Sequence, residues 1–173
     1  MLVLGVDPGT AVTGYGVVRH QQDGAVSLVE CGVVRTSPRS PLADRLREIH
    51  QGVAEVIERH HPDRVAVEDL FYGKNVRTAM TLGHTRGVVL LAAALRGLPV
   101  SEYPPAQIKN AVVGRGRATK PQIGFMVQRL LGLSEPPRPE DAADGVAVAL
   151  CDCFQSLGPA ARLRLVAGAG RGR

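Results

Sequence analysis

The chain has 173 residues, 45% of them apolar, which is enough for one compact domain with a substantial core and excludes a chain disordered throughout. Aromatic residues make up only 3% and Trp is absent, so the core has to rest on Val, Leu, Ile and Ala. The net charge of +5 is unevenly spread: ten acids face seven Lys and Arg up to Asp69, whereas nine Lys and Arg face only Glu102 between Leu70 and Ser134.

The opening reads as three successive strands, roughly Leu2 to Val6, Gly14 to His20 and Ala25 to Arg35, with hairpin chemistry at Gln21-Gln22-Asp23-Gly24. The first is almost continuously apolar, as a strand buried on both faces should be, and belongs at the centre of the sheet. Gly5, Gly14 and Gly16 permit close backbone approach. Leu42, Leu46, Ile49, Val53 and Ile57 recur at helical spacing over about eighteen residues, and His60-His61-Pro62-Asp63 stops that helix. Arg64 to Glu68 is a short strand, followed by a helix from about Asn75 to Leu95 and a strand near Leu98 to Tyr103. Strands that alternate with helices imply right-handed parallel crossovers, so the sheet is mixed, antiparallel at its start and parallel later.

Val88 to Leu95 is apolar around its whole circumference, which predicts cover on several sides, by the rest of the chain in the first instance and by a second subunit as the alternative. Gly83 and Gly87 would admit another backbone there. A short helix over Ala106 to Val112 follows Pro104-Pro105, and Thr119-Lys120-Pro121 opens a helix that runs to about Leu131. Pro136-Pro137-Arg138-Pro139 leads into a last helix from Glu140 to about Phe154. The folded domain is expected over residues 1–157, and residues 158–173, with four Arg and no acid, read as a basic disordered tail.

Four acids stand in informative places. Asp7 tips the first apolar strand just before the turn Pro8-Gly9-Thr10, Glu68 ends Val65-Ala66-Val67, and Asp141 and Asp144 are three apart on one helix face. Gathered at ~6 Å, each like-charge pair would cost on the order of 3 kcal/mol at an effective dielectric near 20. Only cations or protons make such a cluster tolerable, and an all-carboxylate set suits Mg²⁺ or Mn²⁺. Each acid also has a structural alternative: Asp7 as a turn cap, Glu68 as a solvated strand end, and Asp141 and Asp144 as first-turn helix acids that complement the macrodipole.

The basic middle comprises Lys74, Arg77, Arg86, Arg96, Lys109, Arg115, Arg117, Lys120 and Arg129, which fit phosphate neutralisation or, one by one, solvated helix faces. The segment from Lys109 to Lys120 gathers four cations around two glycines without an acid, as a loop tracking phosphates would require. Cys31, Cys151 and Cys153 form no paired metal spacing and read as reduced thiols, the latter two in core packing. The sequence contains no apolar run long enough to span a bilayer and no targeting segment, which leads to the expectation of a cytoplasmic protein with no membrane partner.

Gly5-Val6-Asp7-Pro8-Gly9-Thr10, Val67-Glu68-Asp69-Leu70-Phe71, Gly73-Lys74-Asn75, Thr85-Arg86-Gly87 and Asp141-Ala-Ala-Asp144-Gly145 together closely resemble the RuvC-type Holliday junction resolvases of bacteria, in order and spacing, from Leu2 to about Phe154. The resemblance implies an α/β, RNase H-like fold with a five-stranded mixed sheet flanked by helices. It also implies a homodimeric crossover junction endodeoxyribonuclease that cuts four-way DNA with two Mg²⁺ or Mn²⁺ ions per subunit, and cooperation with a branch-migration complex of the RuvA and RuvB type. Residue by residue, Asp7, Glu68, Asp141 and Asp144 match the metal site. Lys109 and Lys120 match basic positions at the DNA, Lys120 with a catalytic part, and Phe71 matches an aromatic that stacks on an unpaired base. Lys74, Asn75, Arg77, Arg115 and Arg117 are further expected DNA contacts.

Two other classes compete. Asp7-Pro8-Gly9-Thr10 with Gly14-Tyr15-Gly16 could pass for the first phosphate loop of an actin-like ATPase, although the second domain and second Asp-x-Gly loop of that superfamily are missing. A junction-binding module without nuclease activity would use the same basic middle, but four clustered acids would only repel its ligand.

Overall fold

A computed structural model of the chain describes residues 1–69 and 76–156. Five strands, β1 (Leu2–Asp7), β2 (Val12–His20), β3 (Val26–Arg35), β4 (Arg64–Glu68) and β5 (Val100–Tyr103), form one sheet in the order β3-β2-β1-β4-β5. The helices are α1 (Leu42–His60), α2 (Val76–Ala94), α3 (Pro105–Val113), α4 (Lys120–Leu131) and α5 (Glu140–Ser156). β1 is central as expected, antiparallel to β2 and parallel to β4, and β5 adds in parallel at the edge.

Side-chain alternation sorts the sheet into two faces. Leu4, Val6, Val65 and Val67 pack with Ile49 and Val53 of α1 and Val89 of α2, whereas Val3, Val18 and Ala66 pack with α3, α4 and α5. Asp7 shares the parity of Val3, and Glu68 that of Ala66, so both carboxylates belong to the α5 face. Val6 pairs with Val67, and the next step along this register sets Asp7 beside Glu68.

α5 is the innermost helix, buried from Ala142 to Phe154. Glycines let it lie directly on the sheet: a Cβ on Gly145 would stand 2.5 Å from Tyr15 Cα, and one on Gly16 would stand 2.6 Å from Val146 Cα. A Cβ on Gly5 would likewise strike the backbone of Gly145 and Ala149, and one on Gly14 that of Asp141. This seam brings the first two turns of α5 down to the end of β1.

The expectation that the apolar end of α2 is buried within the chain is corrected. Leu91 is 51% and Leu95 65% exposed, Val76 and Met80 are also exposed, and a Cβ on Gly87 would meet nothing. α2 lies towards the β5 edge with α1 as its main helical neighbour, so only its inner face, with Thr85, Val89, Ala92 and Ala93, is covered. Among the described residues no helix is long and apolar enough to cross a membrane. Cys151 and Cys153 are buried in the core and, like the half-buried Cys31, form no disulfide among the described residues.

Helix boundaries follow local chemistry. α1 stops where His61 turns left-handed at φ 47 ahead of Pro62. Gln122 reaches back to the backbone N–H of Thr119 at 3.0 Å to start α4, which fixes the direction in which Lys120 leaves the helix.

Candidate active site

Asp7, Glu68, Asp144, Lys109 and Lys120 line one hollow of about 130 Å³ over the ends of β1 and β4, floored by Ile108, Ile123 and Ala147. The acids come from three separate stretches, two strand ends and the buried helix laid across them. Lys120 joins the group from α4: its Nζ donates to Asp144 Oδ2 at 2.7 Å and to Asp141 Oδ1 at 3.1 Å. Asp141 stands at the exposed rim, one helical turn above Asp144. All four acids are therefore brought to one place, three in the hollow and one at its mouth.

The electrostatics are those of crowded carboxylates. Burial pushes the Asp7 carboxyl above its ordinary range and the charge of Asp144 adds to the rise, while Lys120 opposes it. Glu68 is likewise raised, by burial first and then by Asp7 and Asp144, with Lys109 and Lys120 pulling the other way. Asp144 is raised by burial against the hydrogen bond from Lys120. The Lys120 ammonium is held in its charged form chiefly by its hydrogen bond to Asp144. Among the described residues no three His, Cys, Asp or Glu side chains stand in the tight grouping that grips one ion. In this arrangement Lys120 holds the space between Asp141 and Asp144. A deficit of positive charge among oxygen-only donors matches hard divalent cations, which prefer carboxylate, water and phosphate oxygens.

Two pairs of residues that sequence reasoning missed brace the site from α2. Thr85 Oγ1 lies 2.8 Å from Thr10 Oγ1, with both side chains buried, and Thr10 belongs to the turn that follows Asp7. The same turn is held from the other side, where Thr36 Oγ1 donates to Thr10 O at 2.5 Å and Arg45 Nε donates to Thr36 Oγ1 at 2.9 Å. The neighbouring Arg86 forms ion pairs with Glu102 on β5 and, at 3.3 Å, with Asp69, the residue after Glu68. Consecutive residues of α2 thus steady the strand ends that carry both Asp7 and Glu68. Thr10, Asp69, Thr85 and Arg86 all sit within motifs that the resemblance picks out, but no local pattern shows that they meet.

Arg86 is thus engaged with two carboxylates of this chain, and Arg96 is paired with Glu58. Arg115 and Arg117 are exposed on the connection between α3 and α4, and Arg77 is exposed in the first turn of α2; none of the three lines the hollow. Phe71, Lys74 and Asn75 lie outside the described residues, as does the tail beyond Ser156.

A mixed sheet in this order, with carboxylates at the ends of two adjacent parallel strands and on a helix laid across them, is the RNase H-like architecture, and its oxygen-rich centre is that of a polynucleotide-cleaving enzyme. The family model for crossover junction endodeoxyribonuclease RuvC matches residues 3–152. A crossover junction endodeoxyribonuclease RuvC of Pelotomaculum thermopropionicum is 53% identical over 151 residues, covering 87% of this chain and 92% of the relative. A Thermus thermophilus RuvC structure superposes with a TM-score of 0.82 at 40% identity, covering 91% of this chain and 97% of that one. T. thermophilus RuvC in complex with Holliday junction substrate gives a TM-score of 0.81 at 38% identity with the same coverage. The chain belongs to the RuvC family of crossover junction endodeoxyribonucleases. Membership makes it a metal-dependent nuclease and closes the actin-like ATPase reading.

Proposed function

We propose that this protein resolves four-way DNA junctions by hydrolysing one phosphodiester in each of two opposed strands, leaving 5′-phosphate and 3′-hydroxyl ends. The observation that carries the reading is the convergence of Asp7, Glu68 and Asp144 on one hollow whose remaining polar wall is Lys109 and Lys120.

Asp7, Glu68, Asp141 and Asp144 would hold two Mg²⁺ or Mn²⁺ ions, which, when bound, would supply an activated water and charge stabilisation at the attacking and departing oxygens. The rest falls to the chain's own groups. Asp7 and Glu68 are fixed by β1 and β4, so the reaction centre is set by the sheet and needs no loop to close. Lys120 can exchange its contact with Asp141 for a phosphate oxygen on entry of DNA, placing a preorganised charge where negative charge develops. Lys109, opposite, neutralises the neighbouring phosphate. Arg115 and Arg117 at the rim, with Arg77, Lys74 and Asn75, extend the contact along the backbone, and Phe71 stacks on an unpaired base. The roles of the four acids, Lys109, Lys120 and Phe71 rest on the family's motif positions, and those of Arg77, Arg115 and Arg117 on the cationic middle of the chain.

The exposed stripe of α2, Val76, Met80, Leu91 and Leu95, supports a two-fold homodimer in which a second copy covers the apolar surface this chain leaves open. Two equivalent sites then meet two strands of like polarity in a junction that is itself nearly two-fold symmetric. A branch-migration motor of the RuvA and RuvB type would deliver such junctions.

The test is Asp7→Asn on a synthetic four-way junction. Cleavage in Mg²⁺ or Mn²⁺ should vanish while junction affinity measured without cleavage stays near that of the parent. Retained nicking by Asp7→Asn would refute the assignment, and loss of affinity would make Asp7 a binding residue instead.

A further inference from the structure

Phe125 is 55% exposed on the outer face of α4, although the chain has only three phenylalanines and buries Phe154 in its core. It stands between two hollows. One, of about 480 Å³, is walled by Phe125, Gln128, Pro136, Pro137, Arg138 and Lys120; the other, of about 400 Å³, lies on the side of Arg115 and Met126. Lys120 is the decisive member, because it also lines the catalytic hollow. The larger cavity is therefore the next compartment along from the reaction centre, on the far side of the lysine assigned to the scissile phosphate.

The chemistry of this compartment is specific. Its lining is largely apolar, with one aromatic ring and the prolines Pro121, Pro136, Pro137 and Pro139, and its volume falls within the range of small-molecule sites. Lys120 and Arg138, both exposed, are the cations among its lining residues, Arg115 lines the neighbouring hollow that shares Phe125, and Glu140 is its acid. A flat apolar body with anionic groups at its margin is the description of a nucleotide, and an aromatic face accepts any base by stacking. Gln128 Nε2 is bound to Ser134 O at 2.9 Å, which fixes the amide at the cavity wall, and the Glu140 carboxylate can accept from an exocyclic amino group.

We propose that the Phe125 compartment receives an unstacked base of the cleaved strand, next to the scissile phosphate, with Arg138 on the adjoining backbone. This rests on the nuclease reading of the catalytic hollow and adds to it a second stacking position, on α4. Charge complementarity and continuity with the hollow favour a nucleotide over an apolar protein segment, for which the lining cations would have no use.

The experiment uses the full chain carrying Asp7→Asn, bound to uncut synthetic junctions that have 5-iodo-deoxyuridine at each nucleotide flanking the cut. Irradiation should crosslink one flanking position to the peptide containing Phe125. The crosslink should survive Phe125→Tyr and disappear with Phe125→Leu, and Phe125→Ala should weaken junction binding roughly tenfold. Because Phe125 is on the surface, these variants fold. If the junction binds but no flanking position reaches Phe125, or if Phe125→Ala leaves affinity unchanged, the base site is wrong while the nuclease reading stands. If the Asp7→Asn protein binds no junction at all, Asp7 is a binding residue and not a metal ligand, and the base site argued from that catalytic centre falls with its assignment.

Discussion

The seam between α5 and the sheet can be tested with a single methyl group. In Gly145→Ala the added Cβ would stand 2.5 Å from Tyr15 Cα and 2.6 Å from its backbone N and C, all within β2. Carbon atoms need about 3.5 Å, so α5 has to lift by ~1 Å. β2 cannot yield instead, because ladders to β1 and β3 hold it on both sides. Asp144, the preceding residue, moves with the helix away from Asp7 and out of register with Lys120. A misplacement of that size costs on the order of 10²-fold in rate. Overpacking of this kind also costs about 1–3 kcal/mol of stability, which for a domain of this length lowers the melting temperature by roughly 2–12 °C. Single-turnover cleavage of a four-way junction at saturating protein, together with thermal melting, measures both. The control is Gly124→Ala, whose Cβ would meet only Pro136 Cβ at an ordinary 3.7 Å and which should hold or gain ~0.4–1 kcal/mol. If Gly145→Ala melts with the parent and cuts within about threefold of its rate, the helix is not seated as described and the geometric argument fails.

Other outcomes follow from single contacts. Lys109→Ala and Lys120→Ala should each reduce the slope of log affinity against log salt by about one, and an unchanged slope would return either lysine to the solvated surface. Thr85→Val removes the buried partner of the Thr10 hydroxyl and should slow cleavage at unchanged junction affinity, with Thr85→Ser recovering the rate; loss of affinity at an unchanged rate would exclude a positioning role. Burial alone would raise the Glu30 carboxyl, but hydrogen bonds from His60, Arg59 and Tyr15 outweigh it and bring the group down from 4.5 to about 2. A depressed acid stabilises the fold fully above its unfolded value and less as pH falls, so the parent's melting temperature should drop more steeply from pH 4.5 towards 2 than that of Glu30→Gln; parallel curves would contradict this.

The strand-end acids were legible because a buried apolar run ending in a carboxylate has few structural explanations, and because period-two alternation fixes which face that carboxylate takes. Asp141 and Asp144 were legible as a pair, since three residues along a helix share a side. What could not be read was how closely α5 lies on β1 and β2. Gly5, Gly14, Gly16 and Gly145 each look permissive alone and become a seam only when strand register and helix phase are combined. The surplus of cations between Leu70 and Ser134 also concealed ion pairs formed with distant segments. Arg86 and Arg96 look unopposed along the chain, yet Arg86 finds Glu102 and Asp69 across the sheet edge, and Arg96 finds Glu58 on α1. Charge counted along a sequence cannot register partners supplied by distant segments. Phe125 escaped for a different reason: it lies two residues from both Ile123 and Val127, so the helical period already turns it away from the buried face of α4, and a single outward aromatic forms no pattern along the sequence.

The two faces of α2 carry a consequence for the order of events at a junction. Its inner face holds Thr85 and Arg86 on the turn after Asp7 and on the residue after Glu68, and its outer face presents Leu91 and Leu95. In the proposed dimer, a second copy docked on that stripe would be tied to both strand-end acids through one helix, without an intervening loop. Packed helices shift as rigid bodies between a few discrete positions and do not bend locally, so in the proposed dimer seating the partner would set the spacing of the two reaction centres as well as their number. Paired nicks need that spacing to match the junction, because a site displaced by about an ångström loses most of its rate while its neighbour keeps cutting. If the dimer forms as proposed, the Thr85 and Arg86 contacts would favour two coordinated cuts over a single one, and a Thr85→Val protein should accumulate singly nicked junctions.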